Sequence, residues 1–209
     1  MRKHTFEIGE YYHIYNRGVD KRKTFLDKYD LDRFLKSLIE FNTIEPIGSI
    51  YELSFIKNRF GSPTTKSRKL VSIVVYCINP NHFHLLLTPL IEKGIEKFMH
   101  RIGGYTRYFN EKYKRSGALF QGRFKSKHIP DNNYLLKLSA YINMNNRDSL
   151  GSPTTKLSKS SLEEYTQNIN GICDKKIISE QFRNPKEYLK FALEAWEDSQ
   201  ERKKVLEID

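Results

Sequence analysis

The sequence predicts an α+β fold, in which an antiparallel sheet packs against helices. Three observations lead to this expectation. Alternating or β-branched segments predict strands, amphipathic segments predict helices between them, and the elements follow the order β-α-β-β-β-α-β-α. That order favours a ferredoxin-like or RRM-like sheet with helices packed on one face, followed by a helical C-terminal tail.

The strands are predicted from local composition. Residues 70–78 are rich in β-branched side chains, and the turn residues Asn79-Pro80-Asn81 lead directly into residues 82–88, so this pair predicts a hairpin. The other predicted strands are 11–16 and 50–56, and residues 117–129 are predicted to be a strand or an extended segment.

The helices are predicted from apolar residues at helical spacing. Residues 27–42 form the first helix, with Asp27 or Asp30 as its cap. Residues 94–113 form the second, although Gly103-Gly104 weakens its middle by about 1 kcal/mol per glycine. Asp131 is predicted to cap a third helix that runs to about Met144.

Three segments are predicted along the chain: a main domain over residues 1–147, a flexible linker or insertion over 148–159, and a helical extension over 160–209. The hexapeptide GSPTTK occurs at 61–66 and again at 151–156. Both copies are polar, and we interpret them as exposed, flexible insertions.

The composition indicates a polyanionic partner. The 209 residues include 36 Lys and Arg against 25 Asp and Glu, a formal net charge of +11. Nucleic acid is the first candidate and an anionic membrane surface the second, while a soluble protein that is simply basic is the alternative.

Cysteine usage and hydropathy exclude several classes. Cys77 and Cys173 stand far apart without a CxxC motif, which argues against a zinc ribbon or a disulfide framework. The N-terminus has no apolar signal region, and no stretch approaches the length of a membrane span. A cytoplasmic protein is therefore expected.

Two histidines provide the first chemical signal. His82 and His84 are two residues apart in a predicted strand, so both side chains project from the same face, opposite Phe83. Two imidazoles in this arrangement can hold one divalent ion. Taken alone, the pair is better explained by two structural or solvent-facing histidines, because a metal site needs more than two ligands.

A tyrosine and an asparagine on a helix provide the second signal. Tyr141 and Asn145 are one turn apart and share a helical face. A tyrosine can attack phosphorus and form a covalent ester, and an asparagine carbonyl is a suitable ligand for Mg²⁺ or Mn²⁺. The alternative is that Tyr141 is one of 13 tyrosines with a packing role.

Basic residues interleaved with aromatic ones provide the third signal, because cations bind phosphates and aromatic faces stack on unpaired bases. The alternative is an amphipathic helix with a solvated basic face. The candidate DNA-binding residues are Arg17, Lys21, Arg22, Arg101, Tyr105, Arg107, Lys114, Arg115, Arg123 and Lys125.

These signals occur together, and in this order, in one known family. Over about residues 10–146 the chain resembles the REP-associated tyrosine transposases and, more broadly, the insertion-sequence transposases with one catalytic tyrosine. The matching stretches are YHIYNRG (12–18), YCINPNHFHLLL (76–87), GALFQGRFKS (117–126), and YLL (134–136) through YINMN (141–145).

The resemblance implies an HUH nuclease domain that nicks and rejoins single-stranded DNA. His82 and His84 would be its metal-binding pair, Asn145 would complete the binding of Mg²⁺ or Mn²⁺, and Tyr141 would form a 5′-phosphotyrosine. The expected partner is single-stranded or hairpin DNA, such as a repetitive extragenic palindrome, bound by a monomer or homodimer. One departure is Asn146, where many relatives have proline.

Two other functions remain open at this point. The first is a non-catalytic DNA- or RNA-binding module on the same fold, which the basic and aromatic residues fit equally well. The second is a metal-dependent hydrolase of small phosphoesters, which the positive charge and the lack of a carboxylate-rich site disfavour. Tyr105 is a competing candidate for the nucleophile.

Overall fold

The computed structural model describes residues 5–50, 52, 68–148 and 152–206. The elements in chain order are β1 (Tyr11–Arg17), α1 (Lys28–Glu40), β2 (Val71–Asn79), β3 (His82–Pro89), α2 (Gly94–Ile102), α3 (Tyr105–Lys112), β4 (Lys125–Ile129), α4 (Asn132–Met144), β5 (Lys159–Ser160), α5 (Leu162–Thr166), α6 (Lys176–Ser179) and α7 (Pro185–Leu206).

Within these described residues the strands form a single sheet of order β4-β1-β3-β2-β5, in which every neighbouring pair is antiparallel. The elements from β1 to β4 follow the β-α-β-β-α-β pattern of ferredoxin-like folds. The predicted α+β class with an antiparallel sheet is therefore confirmed. The hairpin predicted at Asn79–Asn81 joins β2 to β3.

Helices cover both faces of the sheet, so the expectation of helices on one face was wrong. The reason lies in the central strands: all nine residues of β2 are buried, which requires apolar cover on each side. Helices α1, α2 and α3 pack on one side, here called the first face. Helices α4, α5, α6 and α7 pack on the other, the second face.

The first face contains most of the aromatic core. Phe34 of α1, Phe98 of α2 and Tyr105 of α3 are buried against the sheet. Asp27 caps α1 as predicted, because its side chain accepts a hydrogen bond from the Asp30 backbone N–H.

The single helix predicted over 94–113 is instead two helices. Around Gly103 and Gly104 the backbone hydrogen bonds shift from the i−4 to the i−3 carbonyl, as in Gly104 N–H to Arg101 O. The weak helix propensity of the two glycines explains why the break falls there.

The second face is built largely from α4 and α7. Asp131 caps α4 as predicted, accepting from the Tyr134 backbone N–H, and α4 ends at Met144. Tyr188 of α7 is buried and accepts a hydrogen bond of 2.7 Å from the Asn143 side chain. The C-terminal helix is thus fixed to the middle of α4.

Several local predictions have mixed outcomes. Ile50 and Glu52 are helical, so the strand predicted over 50–56 was wrong at these two positions, and its remainder lies outside the described residues. Only residues 125–129 of the segment 117–129 form a strand. The first GSPTTK copy lies outside the described residues, as does Gly151 of the second.

The C-terminal part contributes directly to the sheet. Ser160 of β5 pairs with Cys77 of β2, and the Asp148 backbone N–H donates to the carbonyl of Ser152. The predicted boundaries of the three segments stay a prediction. Among the described helices, none combines the length and the apolar character that crossing a bilayer requires.

Candidate active site

The histidines of β3 lie on the second face, beneath α4. The β1–β3 register pairs Tyr15 with His84 and Arg17 with His82, so these four side chains follow the alternation of their strands. The rings of His82 and His84 have centroids 5.2 Å apart and are nearly perpendicular. Both imidazoles therefore project to the same side of the sheet, as predicted.

Asparagines hold the His82 ring on both sides. Its Nδ1 lies 2.6 Å from Asn81 Oδ1, and its Nε2 lies 3.0 Å from Asn145 Oδ1. Asn79 Nδ2 donates to the same Asn145 oxygen at 2.9 Å. A neutral His82 with its proton on Nδ1 can donate to Asn81 Oδ1, and its Nε2 can then accept from Asn79 Nδ2, which lies 3.1 Å away. Burial lowers the pKa of His82, which favours this neutral form.

A third histidine supports His84. His13 Nε2 lies 2.8 Å from His84 Nδ1, and the two rings are stacked. Burial, with a smaller contribution from the charge of Lys127, lowers the pKa of His13 to about 4. A neutral His13 can accept the Nδ1 proton of His84 and so fix the orientation of that ring.

Tyr141 faces this histidine group from α4. Its ring centroid lies 6.1 Å from that of His84 and 6.1 Å from that of Trp196 on α7. Burial raises the pKa of Tyr141, whereas a hydrogen bond with Asn145 and the charge of Arg17 act in the lowering direction. Near neutral pH the phenol is therefore protonated.

These residues share one cleft of about 550 Å³. Tyr141, Asn145, His82 and His84 all line it, and they are the four residues predicted for chemistry. Arg17 and Lys125, both predicted to bind DNA, lie on its wall and are exposed. The cleft therefore joins a phenol, two imidazoles and an amide oxygen in a positively charged setting.

Two of the predicted DNA-binding residues make hydrogen bonds within the protein. Tyr105 is only 2% exposed, and its hydroxyl donates to the Thr24 carbonyl at 2.7 Å. Its burial also removes it as the competing nucleophile. The Arg101 guanidinium donates to the carbonyls of Phe41 and Glu45, among others, and so ties a loop to α2.

The other candidates lie outside the cleft on the protein surface. Arg107 is exposed and forms an ion pair with Glu111, and Arg115 donates to the Asn110 side chain. Lys114 is exposed, at a positive φ of 50°. Lys21 and Arg22 are exposed in the turn after β1, and Arg123 lines a separate pocket on the first face.

Two residues that line the cleft, Trp196 and Gln200, and one that contacts His84 from behind it, His13, had no predicted role. His13 could have been found from alternation in β1, which places it on the face of Tyr15 and Arg17. Trp196 and Gln200 had no comparable signal, because they reach the cleft only through the packing of α7 on α4.

The donor set of the cleft suits a divalent cation. Neighbouring ligands of an octahedral Mg²⁺ lie about 3 Å apart, and His82 Nε2 and Asn145 Oδ1 are separated by 3.0 Å. In the part of the chain that the structure describes, no three His, Cys, Asp or Glu side chains cluster around a metal position. A site here would thus rest on two imidazoles and an amide oxygen, without a carboxylate.

A family model gives an independent view of the same residues. Residues 62–145 match the model of IS200-like transposases. We call these matched residues the IS200-like region. This match confirms the predicted resemblance, and the IS200-like region contains Tyr141, Asn145 and both histidines of β3.

Comparison with other proteins adds a distant structural likeness. A solved structure of a REP-associated tyrosine transposase bound to a REP hairpin aligns over 69% of this chain and 70% of that chain. The sequence identity is 16% and the TM-score is 0.42. No curated protein sequence matches the chain.

Proposed function

We propose that this protein nicks and rejoins single-stranded DNA through a covalent 5′-phosphotyrosine on Tyr141. The observation that carries the proposal is the cleft in which Tyr141 faces His84, with Asn145 beside His82. The IS200-like region contains all four residues. DNA transposition is the corresponding biological activity.

His82, His84 and Asn145 would hold Mg²⁺ or Mn²⁺. A bound cation would supply positive charge to the non-bridging oxygens of the scissile phosphate. Asn81 and His13 fix the two imidazole rings, and Asn79 orients the Asn145 amide, so the ligand atoms are positioned by hydrogen bonds made within the protein.

Tyr141 would act as the nucleophile. Its oxygen forms a bond to the phosphorus while the bond from phosphorus to the 3′-oxygen breaks. The phenolic proton leaves to solvent, and the departing 3′-oxygen takes up a proton and becomes a hydroxyl group. The 5′ end stays on the enzyme as a phosphodiester, so attack by another 3′-hydroxyl rejoins DNA without a nucleotide cofactor.

The positive side chains of the cleft wall would hold the strand. Arg17 and Lys125 lie beside the histidines and are exposed, and they suit a backbone phosphate on either side of the cleaved position. The net charge of +11 would draw the polyanion to the protein. A DNA hairpin with single-stranded flanks is the proposed substrate, bound by a monomer or homodimer.

The decisive experiment is to trap the covalent adduct. The protein is incubated with a pool of labelled single-stranded hairpin oligonucleotides and Mn²⁺ or Mg²⁺, then separated under denaturing conditions. We expect a labelled adduct that is absent in EDTA and maps to the Tyr141 peptide. Tight hairpin binding with no adduct in any metal would instead establish a non-catalytic binding module.

A further inference from the structure

Asn79, the last residue of β2, lies beside His82 in the sheet. The β2–β3 register pairs the two residues directly, so their side chains project from the same face. Asn79 is only 4% exposed, whereas His82 and Asn145 line the cleft in front of it. The sequence indicated only a turn at this position, so the contacts of the Asn79 side chain are a finding of the structure.

Three side-chain atoms of this group form a nearly equilateral triangle. His82 Nε2 and Asn145 Oδ1 are 3.0 Å apart, and Asn79 Nδ2 lies 3.1 Å from the first and 2.9 Å from the second. The ligand atoms on one face of an octahedral Mg²⁺ are separated by about 3 Å, because each lies roughly 2.0–2.1 Å from the ion. The triangle therefore has the dimensions of one such face, with an amino nitrogen at its third corner.

The third corner can present either end of a carboxamide. When no cation is bound, the amino group of Asn79 is favoured there, because it donates to two acceptors that would otherwise face each other. Beside a cation the preference reverses, since an amide oxygen is attracted and an N–H group is repelled. Rotation by about 180° around the Cβ–Cγ bond of asparagine exchanges the two atoms with little change in their positions.

We propose that Asn79 is a further ligand of the divalent cation, and that its carboxamide turns on binding so that Oδ1 takes the place of Nδ2 at the third corner. The inference rests on the proposed function, because it concerns the cation of that site. The ligand set becomes two imidazoles and two amide oxygens, all neutral. The cation would then keep its full charge for the oxygens of the scissile phosphate.

Two substitutions at Asn79 separate a ligand from a residue that only positions its neighbours. Asn79→Asp keeps an oxygen at the corner and adds a charge, so Mn²⁺ should bind about tenfold more tightly. Asn79→Leu has neither an oxygen nor an amino group, so Mn²⁺ should bind about tenfold more weakly. A positioning role predicts weaker binding in both variants, because neither can donate to the Asn145 oxygen. The measurement is the electron paramagnetic resonance signal of free Mn²⁺ with the full chain.

A matched variant controls for the added charge. Gln121→Glu introduces the same charge at an exposed position of the cleft wall, and we expect it to change the Mn²⁺ affinity by less than about twofold. Urea unfolding gives a second readout. Asn79→Asp sets a carboxylate against the Asn145 oxygen, so its midpoint should be lower than that of the unaltered protein in EDTA, and Mn²⁺ should raise it by more.

The outcomes distinguish this proposal from the proposed function. Weaker Mn²⁺ binding by Asn79→Asp would overturn the ligand role, as would an equal gain in Gln121→Glu. Tighter binding by Asn79→Leu would also overturn it, because the amino group would then only obstruct the site. Each of these results leaves the proposed function intact. A protein that binds no Mn²⁺, with or without hairpin DNA, would overturn both.

Discussion

Tyr105 and Tyr141 lie on helices that pack on opposite faces of the same sheet. Tyr105 of α3 is enclosed by the aromatic core, and its hydroxyl donates a hydrogen bond to the Thr24 carbonyl. Tyr141 of α4 is only partly buried and faces His84 across a cleft. Both residues have a pKa raised by burial, so the pKa does not distinguish them.

The difference between the two tyrosines comes from the strands beneath them. On the first face, β3 presents Phe83, Leu85 and Leu87, which make a dry floor for α3. On the second face, the same strand presents His82 and His84. Alternation along one strand therefore decides which of two similar tyrosines faces histidines.

Exchanging each tyrosine for phenylalanine should give the largest contrast. We expect Tyr141→Phe to lose more than about a thousandfold in nicking rate while it still binds hairpin DNA, because only the attacking oxygen is removed. Tyr105→Phe should nick at the normal rate and lose about 1 kcal/mol of stability, since the Thr24 carbonyl loses its donor.

Gel assays of nicking and binding, with urea unfolding of each variant, measure this contrast. Nicking that persists in Tyr141→Phe would move the role to another hydroxyl. Tyr15 would then be tested first, because it also lines the cleft.

The contribution of His13 to the orientation of His84 can be tested by measuring the affinity of the protein for Mn²⁺. His13→Phe keeps the stacked ring and removes the atom 2.8 Å from His84 Nδ1, so Mn²⁺ should bind about tenfold more weakly. The one tryptophan of the chain, Trp196, lines the cleft, and its quenching by Mn²⁺ reports occupancy. His128→Phe, at an exposed position on β4, should leave the affinity unchanged.

The smallest expected effect is a change in the salt dependence of DNA binding. It should differ between a basic residue of the cleft wall and one on the first face. Lys125→Gln in the cleft wall should reduce the slope of log affinity for single-stranded DNA against log salt by about 0.7. Arg107→Gln on α3 removes the same charge from a surface ion pair with Glu111 and should leave the slope unchanged. Equal slopes for the two variants would show that the strand does not follow the cleft.

Local patterns predicted much of this molecule. The caps Asp27 and Asp131, the β2–β3 hairpin and the shared side of His82 and His84 all depend on neighbours in sequence, which alternation and capping rules describe. The position of Tyr141 above the histidines also followed from the family resemblance.

Features that depend on distant packing could not be predicted. The burial of Tyr105 depends on the fit of α3 against the sheet, and its basic, aromatic neighbourhood looks the same in sequence whether it is buried or exposed. Trp196 reaches the cleft because α7 packs along α4. Helices on both faces were missed because a wholly buried strand such as β2 has no alternation from which a single covered side can be inferred.

Strand β4 lies at one end of the sheet and carries Lys125 and Lys127 beside exposed His128. A strand in that position offers backbone groups to which another chain can add, and charged side chains discourage such pairing. We therefore expect the lysine that we place along the DNA also to discourage pairing of another chain with this edge. An apolar replacement of Lys125 would weaken both DNA binding and the protection of this sheet edge, whereas glutamine keeps the edge polar.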